Sequence, residues 1–176
     1  MQPDDLLPRV RAVLATTSAR WLSLAESLPV DLITRPPAPG QWAAAECLRH
    51  LRDTERFVFP PRIRAFLAGQ DFPSFDPGAQ PPADLSRSAE MARDFAALRG
   101  QSLALVAQLT PADLERTARH SERGLVTLGE LLHEWAAHDL NHTVQAERAL
   151  MQPFIAGCGP WRTAGYFADH DAEAHG

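Results

Sequence analysis

The chain has 176 residues, 17 of them basic and 22 acidic, and a formal net charge of −5. Every basic residue is arginine, which excludes Schiff-base chemistry on a lysine and a P-loop lysine. Because an acidic chain with dispersed arginines lacks the basic face that a phosphate backbone requires, we expect no nucleic-acid partner.

The composition predicts an all-α fold. The chain contains 29 Ala and 22 Leu but only 7 Val and 3 Ile, and this balance favours helices over strands. The length is typical of one domain. We therefore expect a single helical domain over residues 1–176, with a core at about 5–151 and a C-terminal extension over 152–176.

Sequence features also indicate the compartment. No apolar run is long enough to span a bilayer, so we expect no membrane partner. Asp4 and Asp5 stand where a secretory signal would carry positive charge. Cys47 and Cys158 are too few for a disulfide framework. These features predict a cytoplasmic protein.

Four segments have helical periodicity, and the prolines and glycines fall almost entirely between them. They run from about Pro3 to Leu28, Gln41 to Leu67, Asp84 to Leu109 and Thr127 to Met151. Pro60-Pro61 should kink the second helix, and the spacing of Thr127 and Glu130 predicts a capping box. The connection over 69–83 is long enough to run the whole length of a bundle.

The strongest chemical signal is the sequence HEWAAHDLNH over 133–142 in the fourth predicted helix. The apolar stripe through Leu128 and Trp135 continues into His138 and His142, which lie one turn apart on the core-facing side. Two imidazoles at this spacing can each give a nitrogen to one metal ion.

His133 lies five residues before His138 and should face elsewhere. A zincin motif needs its two histidines four residues apart, so HEWAAH does not match one.

A third ligand is expected from the second helix, where His50 shares a stripe with Cys47, Thr54 and Phe57. Three neutral imidazoles leave coordination positions open, which suits a catalytic metal. The alternative is that the histidines are core residues that hydrogen-bond to each other. Desolvating three imidazoles without partners is costly, which favours the metal site.

These segments resemble the DinB-like (YfiT-like) superfamily of small bacterial metal-binding proteins over about residues 5 to 165. Trp42 with ECLRHLRDTERF resembles that family's W-x(n)-H-L-x-D-x-E segment. RTARHSERGLVTLGELLHEWAAHDLNHTVQ resembles its final segment, and GPW at 159–161 resembles its tail. The resemblance implies a four-helix bundle in up-down-down-up order.

The resemblance also implies a ligand set and an activity. By position, His50, His138 and His142 would hold a divalent metal: zinc or nickel first, with iron, copper or manganese as alternatives. Relatives of known activity include thiol-dependent S-transferases, a thiol-dependent isomerase and metal-dependent hydrolases.

Three residues near the histidines have two interpretations each. Glu134, one turn before His138, is a candidate general base or an exposed partner for an arginine. Gln145 is a candidate for binding a water or the substrate, or it satisfies a buried carbonyl. Cys47 is a candidate fourth ligand or, more ordinarily, a small buried core residue.

Other polar residues are candidates for supporting roles. Asp53 and Asp139 could orient an imidazole or an arginine, and Arg99 could pair with such a carboxylate. The ordinary alternative is a set of surface ion pairs worth under about 1 kcal/mol.

The remaining histidines lie outside the predicted helices. His120, in the loop before the fourth helix, matches a family position and could border the site. His170 and His175, in a polar tail, are predicted to be solvated.

The leading functional hypothesis is a metal-dependent enzyme, a hydrolase or a thiol-dependent S-transferase. Its partners would be a small-molecule substrate and a low-molecular-weight thiol. The alternative is a non-catalytic metal-binding or small-molecule-binding bundle for sensing, sequestration or partner binding. A cavity lined by more than the ligands favours the enzyme, whereas a closed apolar pocket favours the binding module. Exposed patches predicted at 57–59 and 72–75 would allow a homodimer.

Overall fold

The computed structural model describes residues 3–80, 83–163 and 165–171. The helices are α1 (Pro3–Ser27), α2 (Val30–Ile33), α3 (Ala44–Phe57), α4 (Phe59–Ala68), α5 (Ser88–Val106), α6 (Leu128–Gly157) and α7 (Pro160–Thr163). The strands are β1 (Thr117–His120) and β2 (Gly124–Thr127), and single 3-10 turns lie at Pro77–Ala79, Leu85–Arg87 and Pro111–Glu115.

Helices α1, α3, α5 and α6 form a four-helix bundle in which α1 and α3 each pack against α5 and α6. Helix α5 runs antiparallel to α1, because Arg93 pairs with Glu26 while Arg99, further along α5, bonds the carbonyl of Leu14, further back in α1. Helices α1 and α5 therefore run in opposite directions.

Helix α6 runs parallel to α1, because Thr17 contacts Asp139 and Arg20 pairs with Glu147. It runs antiparallel to α3 and α4, because His50 contacts His142 while Phe59, later in the chain, stacks on the earlier Trp135. The directions are therefore up, down, down and up for α1, α3, α5 and α6, and the predicted fold class and order are confirmed.

The predicted kink at Pro60-Pro61 is a break between two helices. Val58, with φ −116° and ψ −75°, ends α3 and precedes α4. Both prolines lie in the first turn of α4, where the missing N–H costs no helical hydrogen bond. Phe57, predicted to share the stripe of His50, is 48% exposed, because the apolar face of α3 gives way to α4 at this point.

The fourth predicted helix begins where expected and ends later. The Thr127 N–H donates to Glu130 Oε2 over 2.7 Å, and the Glu130 N–H donates to Thr127 Oγ1 over 3.1 Å. This capping box satisfies two N–H groups that the helix leaves free. Helix α6 continues to Gly157, beyond the predicted end at Met151.

Helical period predicts one stripe of the third helix at Met91, Phe95, Leu98, Ser102, Leu105 and Leu109. The buried stripe of α5 instead continues from Phe95 through Arg99, Ser102 and Val106. Leu98 and Leu105 are only partly buried. The helix therefore directs an arginine, rather than a leucine, into the centre of the bundle.

A small β-hairpin was not predicted. Strands β1 and β2 pair antiparallel from Thr117 opposite Thr127 to His120 opposite Gly124, whose φ of +79° favours glycine. Phe72 adds a parallel bridge beside His120: its N–H donates to the Arg119 carbonyl over 3.1 Å. The hairpin and the loop that contains Phe72 thus join beside α4 and α6.

The buried core forms two clusters. One includes Phe59, Trp135 and Leu128, and the other includes Trp21, Phe95 and Ala146. A polar layer of α3, α5 and α6 side chains lies between them along those helices.

Two surface expectations have different outcomes. Among the described helices, none offers an apolar stretch that could cross a bilayer. The prediction of exposed patches at 57–59 and 72–75 is largely wrong, because Val58, Phe59 and Phe72 are only 4%, 1% and 7% exposed. They pack into the core cluster of Trp135 instead.

Candidate metal centre

Three histidines converge between α3 and α6. His50 Nε2 lies 3.0 Å from His138 Nε2. The ring centroid of His142 lies 4.6 Å from that of His50 and 4.5 Å from that of His138. One ligand atom from each ring lies within 4.8 Å of the others. The structure therefore brings together the three residues that the sequence suggested as ligands.

The helix geometry explains this convergence. His138 and His142 lie four residues apart on α6 and so share one face, and the neighbouring turns of α3 bring His50 opposite them. His133 is exposed on another side of α6, as predicted. Trp42, just before α3, stacks on His142 at 5.8 Å and 23° and covers the cluster from one side.

The three imidazoles are neutral at pH 7. Burial, together with repulsion from His142, lowers the pKa of His50 to about 4. Burial and the same repulsion lower the pKa of His138 to about 3. The pKa of His142 is also lowered, chiefly by burial. Each ring therefore has a nitrogen lone pair, which is the form that binds a metal ion.

Gln145 fixes the orientation of His142. The side-chain Oε1 of Gln145 lies 2.9 Å from His142 Nδ1. Because an amide oxygen only accepts, Nδ1 is the protonated nitrogen of the ring. The lone pair of His142 is therefore on Nε2. Gln145 acts on an imidazole, rather than on the buried carbonyl that the sequence left as an alternative.

The donor set fits a divalent ion. The Nε2 atoms of His50 and His138 face each other at 3.0 Å, so at most one of them carries a proton. His138 Nδ1 is buried without a hydrogen-bond partner among the described residues, so Nε2 makes the polar contact of that ring. Three neutral imidazoles with nitrogens this close match the donors that zinc, nickel, copper and iron accept.

A buried ion network lies behind the histidines. Arg99 Nη1 donates to Asp139 Oδ2 over 2.6 Å, and Arg99 Nη2 lies 2.9 Å from Glu55 Oε2. All three side chains are at most 1% exposed. The surface ion-pair interpretation of Arg99 and Asp139 is therefore wrong, because α5 turns Arg99 inward. Its charge also helps to lower the pKa of His138.

Two other candidates do not join the cluster. Asp53 accepts hydrogen bonds from Arg52 Nε at 3.0 Å and Nη2 at 2.7 Å, so it orients an arginine rather than an imidazole. Cys47 is fully buried in the second core cluster, and burial raises the pKa of its thiol to about 12. A thiol in that environment stays protonated, which favours the core interpretation of Cys47.

A cavity of about 580 Å³ opens beside His50 and His138, and we call it the site cavity. Its apolar wall includes Phe59, Phe72 and Phe75, and its polar groups include Glu134, Arg62 and His120. Glu134 lies one turn before His138 on the same helix, and no described arginine pairs with it within 4.0 Å. His120 borders the cavity at the end of β1.

Arg62 is a cavity residue that the sequence reasoning missed. His50, Thr54, Val58 and Arg62 are spaced by four and all line the site cavity. That regular spacing, carried across the break at Val58, is the signal that could have revealed Arg62.

A second cavity of about 900 Å³ borders the other side of the cluster. Trp42, His142 and Gln145 line it together with Asp169 and His170. The predicted solvated state of His170 is wrong, because the Gln152 amide donates to its carbonyl over 2.8 Å and holds it partly buried against α6. His175 lies outside the described residues.

The fold is similar to that of a solved protein. The solved structure of YfiT from Bacillus subtilis, described as a probable metal-dependent hydrolase with an unusual four-helix bundle topology, has a TM-score of 0.63 and 20% sequence identity. The match covers 81% of this chain and 85% of that one. At this identity the likeness shows the fold alone. No curated protein sequence matches the chain significantly.

The family comparison covers most of the bundle. The model of the DinB superfamily matches residues 14–146, which include all three clustered histidines, Trp42 and the buried network. The match spans well over half of the chain, and the fold agrees with it. The chain belongs to the DinB superfamily.

Proposed function

We propose that the protein is a metal-dependent enzyme that acts on a small molecule, as a hydrolase or as a thiol-dependent S-transferase. The observation that carries the proposal is that three neutral histidines converge beside the site cavity. Two of them, His50 and His138, line this cavity together with apolar and ionisable side chains. A closed, wholly apolar pocket would have favoured the non-catalytic alternative.

In this proposal His50, His138 and His142 hold a divalent ion, with zinc or nickel as the first candidates. Such an ion, when bound, supplies a Lewis acid that activates a water or thiol nucleophile at neutral pH. Gln145 holds His142 in the tautomer that leaves Nε2 free to bind. The network of Arg99 with Asp139 and Glu55 fixes the helices that carry the imidazoles.

Glu134 is the proposed general base. It shares the site cavity with His138, and a carboxylate there can accept the proton that a water or thiol loses as it attacks the substrate. Phe59, Phe72 and Phe75 give the substrate an apolar surface and limit the access of bulk water. A volume of about 580 Å³ suits a small molecule rather than a polymer.

Further parts of the proposal follow from the sequence. The low-molecular-weight thiol as cosubstrate, the homodimer, the cytoplasmic location and the absence of a nucleic-acid partner all stay predictions. The domain limits, with an extension from residue 152, also stay a prediction.

The proposed function can be tested with tag-free protein loaded separately with zinc and nickel. Each form is assayed against a panel of activated esters, amides and lactones, and against thiols paired with soluble electrophiles. We expect turnover of at least one class, and we expect it to disappear in His138→Ala/His142→Ala. His133→Ala, on the exposed side of the same helix, is the matched control and should retain it. Turnover that survives the double substitution would contradict the proposal.

A further inference from the structure

We propose that Arg62 and His120 form a subsite for a carboxylate at the wall of the site cavity, so that the substrate is a small carboxylic acid with an apolar body. This inference rests on the proposed function, because it names the substrate class of the same site. It depends on three observations: the contacts of Arg62, the proton position on His120, and the aromatic wall between them.

Arg62 is a partly buried cation without a carboxylate partner. Its Nη2 donates to the Pro73 carbonyl over 3.3 Å, and no carboxylate oxygen of the described residues lies within 4.0 Å of its guanidinium. Arg99, which is fully buried, has two carboxylate partners. Desolvating a charge without a partner is unfavourable. The anion that pairs with Arg62 therefore comes from a bound molecule rather than from the chain.

His120 presents a second donor to the same point. The Glu122 backbone N–H donates to His120 Nδ1 over 3.1 Å, so the proton of the neutral ring is on Nε2. Arg62 Nη2 lies 3.2 Å from that Nε2. A guanidinium has donors only, so two donors face each other without an acceptor. An oxygen of a bound carboxylate would accept from both.

The two donors are held in place by their surroundings. The Arg62 guanidinium lies 5.2 Å from the ring centroid of Phe72, and the Phe72 ring packs edge-on against His120 at 5.5 Å. Phe72 is itself fixed by its backbone pairing beside His120. A rigid fork of donors against an aromatic wall is the arrangement that recognises a carboxylate attached to an apolar group.

The charge at this point favours a carboxylate over a phosphate. Arg62 is the cation that meets His120 at this point. The cavity as a whole is lined by two arginines, Arg62 and Arg123, and by three glutamates, Glu122, Glu130 and Glu134. Glu122 and Glu134 are near enough to raise the pKa of Arg62, although burial lowers it on balance. These two carboxylates would repel a dianion more strongly than a monoanion. The subsite therefore suits a monoanionic carboxylate.

The test uses ω-phenylalkanoates of increasing chain length, from phenylacetate to 5-phenylpentanoate, with their matched amides and with phenyl phosphate. Each is titrated calorimetrically onto the metal-free protein and onto the zinc-loaded protein. We expect at least one acid to bind the metal-free protein about tenfold more tightly than its amide and more tightly than phenyl phosphate. Arg62→Gln should abolish this preference. Arg64→Gln, an exposed arginine on the same helix that does not line the cavity, should retain it.

Several outcomes would overturn the subsite. An acid preference that needs zinc and survives Arg62→Gln would mean that the carboxylate binds the metal instead. Tighter binding of phenyl phosphate than of the acids would mean that the subsite recognises a phosphate rather than a carboxylate. Equal affinities for the acids and their amides would mean that Arg62 and His120 form no carboxylate subsite. If Arg62→Gln unfolds, Arg62→Lys takes its place and should weaken the preference while keeping the fold. The affinities of the metal-free protein depend on neither a bound metal nor turnover. They therefore test the subsite even if the proposed enzyme function fails.

Discussion

His142 and Gln145 are joined by a hydrogen bond of 2.9 Å between the ring Nδ1 and the amide Oε1. The two residues lie three apart on α6, so the helix itself sets this contact. The bond places the proton of the ring on Nδ1 and leaves the lone pair on Nε2. Hydrogen bonds of this kind to a metal-binding histidine orient the ring and raise its basicity.

Gln145→Ala should therefore weaken zinc affinity by about 10- to 100-fold. The expected cause is a freely rotating His142 ring that can present either nitrogen. Gln145→Glu keeps an oxygen acceptor and should restore most of the affinity. Zinc affinity is measured by competition with a chromogenic chelator, and Gln101→Ala, an exposed glutamine on α5, is the control. Equal affinities for Gln145→Ala and Gln101→Ala would contradict the role assigned to Gln145.

Arg99→Met should destabilise the fold by about 3–5 kcal/mol, because it leaves the buried carboxylates of Glu55 and Asp139 without a cation. Arg93→Met removes an ion pair with Glu26 whose side chains are both about half exposed, and should cost about 1 kcal/mol or less. Equilibrium urea unfolding at pH 7 gives both free energies. Similar values for the two variants would show that the buried network does not stabilise the bundle.

The metal-free protein should lose stability as the pH falls below about 6.5. An unfolded histidine takes up a proton near that pH, whereas the folded pKa is about 4 for His50 and about 3 for His138. Between these values the unfolded state binds more protons, so the free energy of unfolding decreases as the pH decreases.

The histidine contribution is isolated by comparison with His50→Gln/His138→Gln. Both proteins are unfolded in urea at a series of pH values from 7.5 to 4. Above about pH 7 the two free energies of unfolding should differ by a constant amount. As the pH falls below about 6.5, the free energy of unfolding of the wild type should decrease relative to that of the variant. Parallel curves would contradict the lowered pKa values of these two rings.

Glu134→Gln should reduce the turnover of any substrate found in the panel by about 10²- to 10⁴-fold, because an amide cannot accept the proton. Metal content should stay the same, since Glu134 is not among the clustered ligands. Glu115→Gln, an exposed glutamate outside the cavity, is the control. Unchanged turnover in Glu134→Gln would remove Glu134 from the mechanism.

Much of the fold and the histidine cluster could be predicted because they depend on helical period. His138 and His142 follow Trp135 on one stripe, and the stripe of His50 faces them once α3 and α6 pack antiparallel. The capping box at Thr127 and the break near Pro60 are equally local signals. Local backbone preferences and spacing are enough to predict such features.

Features that depend on tertiary contacts could not be predicted in this way. The strands β1 and β2 have only four residues each, and their pairing is supported by Phe72, which lies far away in the sequence. Arg99 looks like a surface residue until its partners Glu55 and Asp139 are known, because each comes from a different helix. The contact of Arg62 with His120 joins α4 to the end of β1, and no spacing rule connects those segments.

The most direct test of the metal centre is elemental analysis of purified tag-free protein beside His138→Ala/His142→Ala and the control His133→Ala. We predict close to one equivalent of divalent metal in the wild type and in His133→Ala, and almost none in the double variant. A wild-type protein that holds no metal after incubation with zinc or nickel would contradict the metal centre. It would leave three histidines that bond to each other inside a helical bundle.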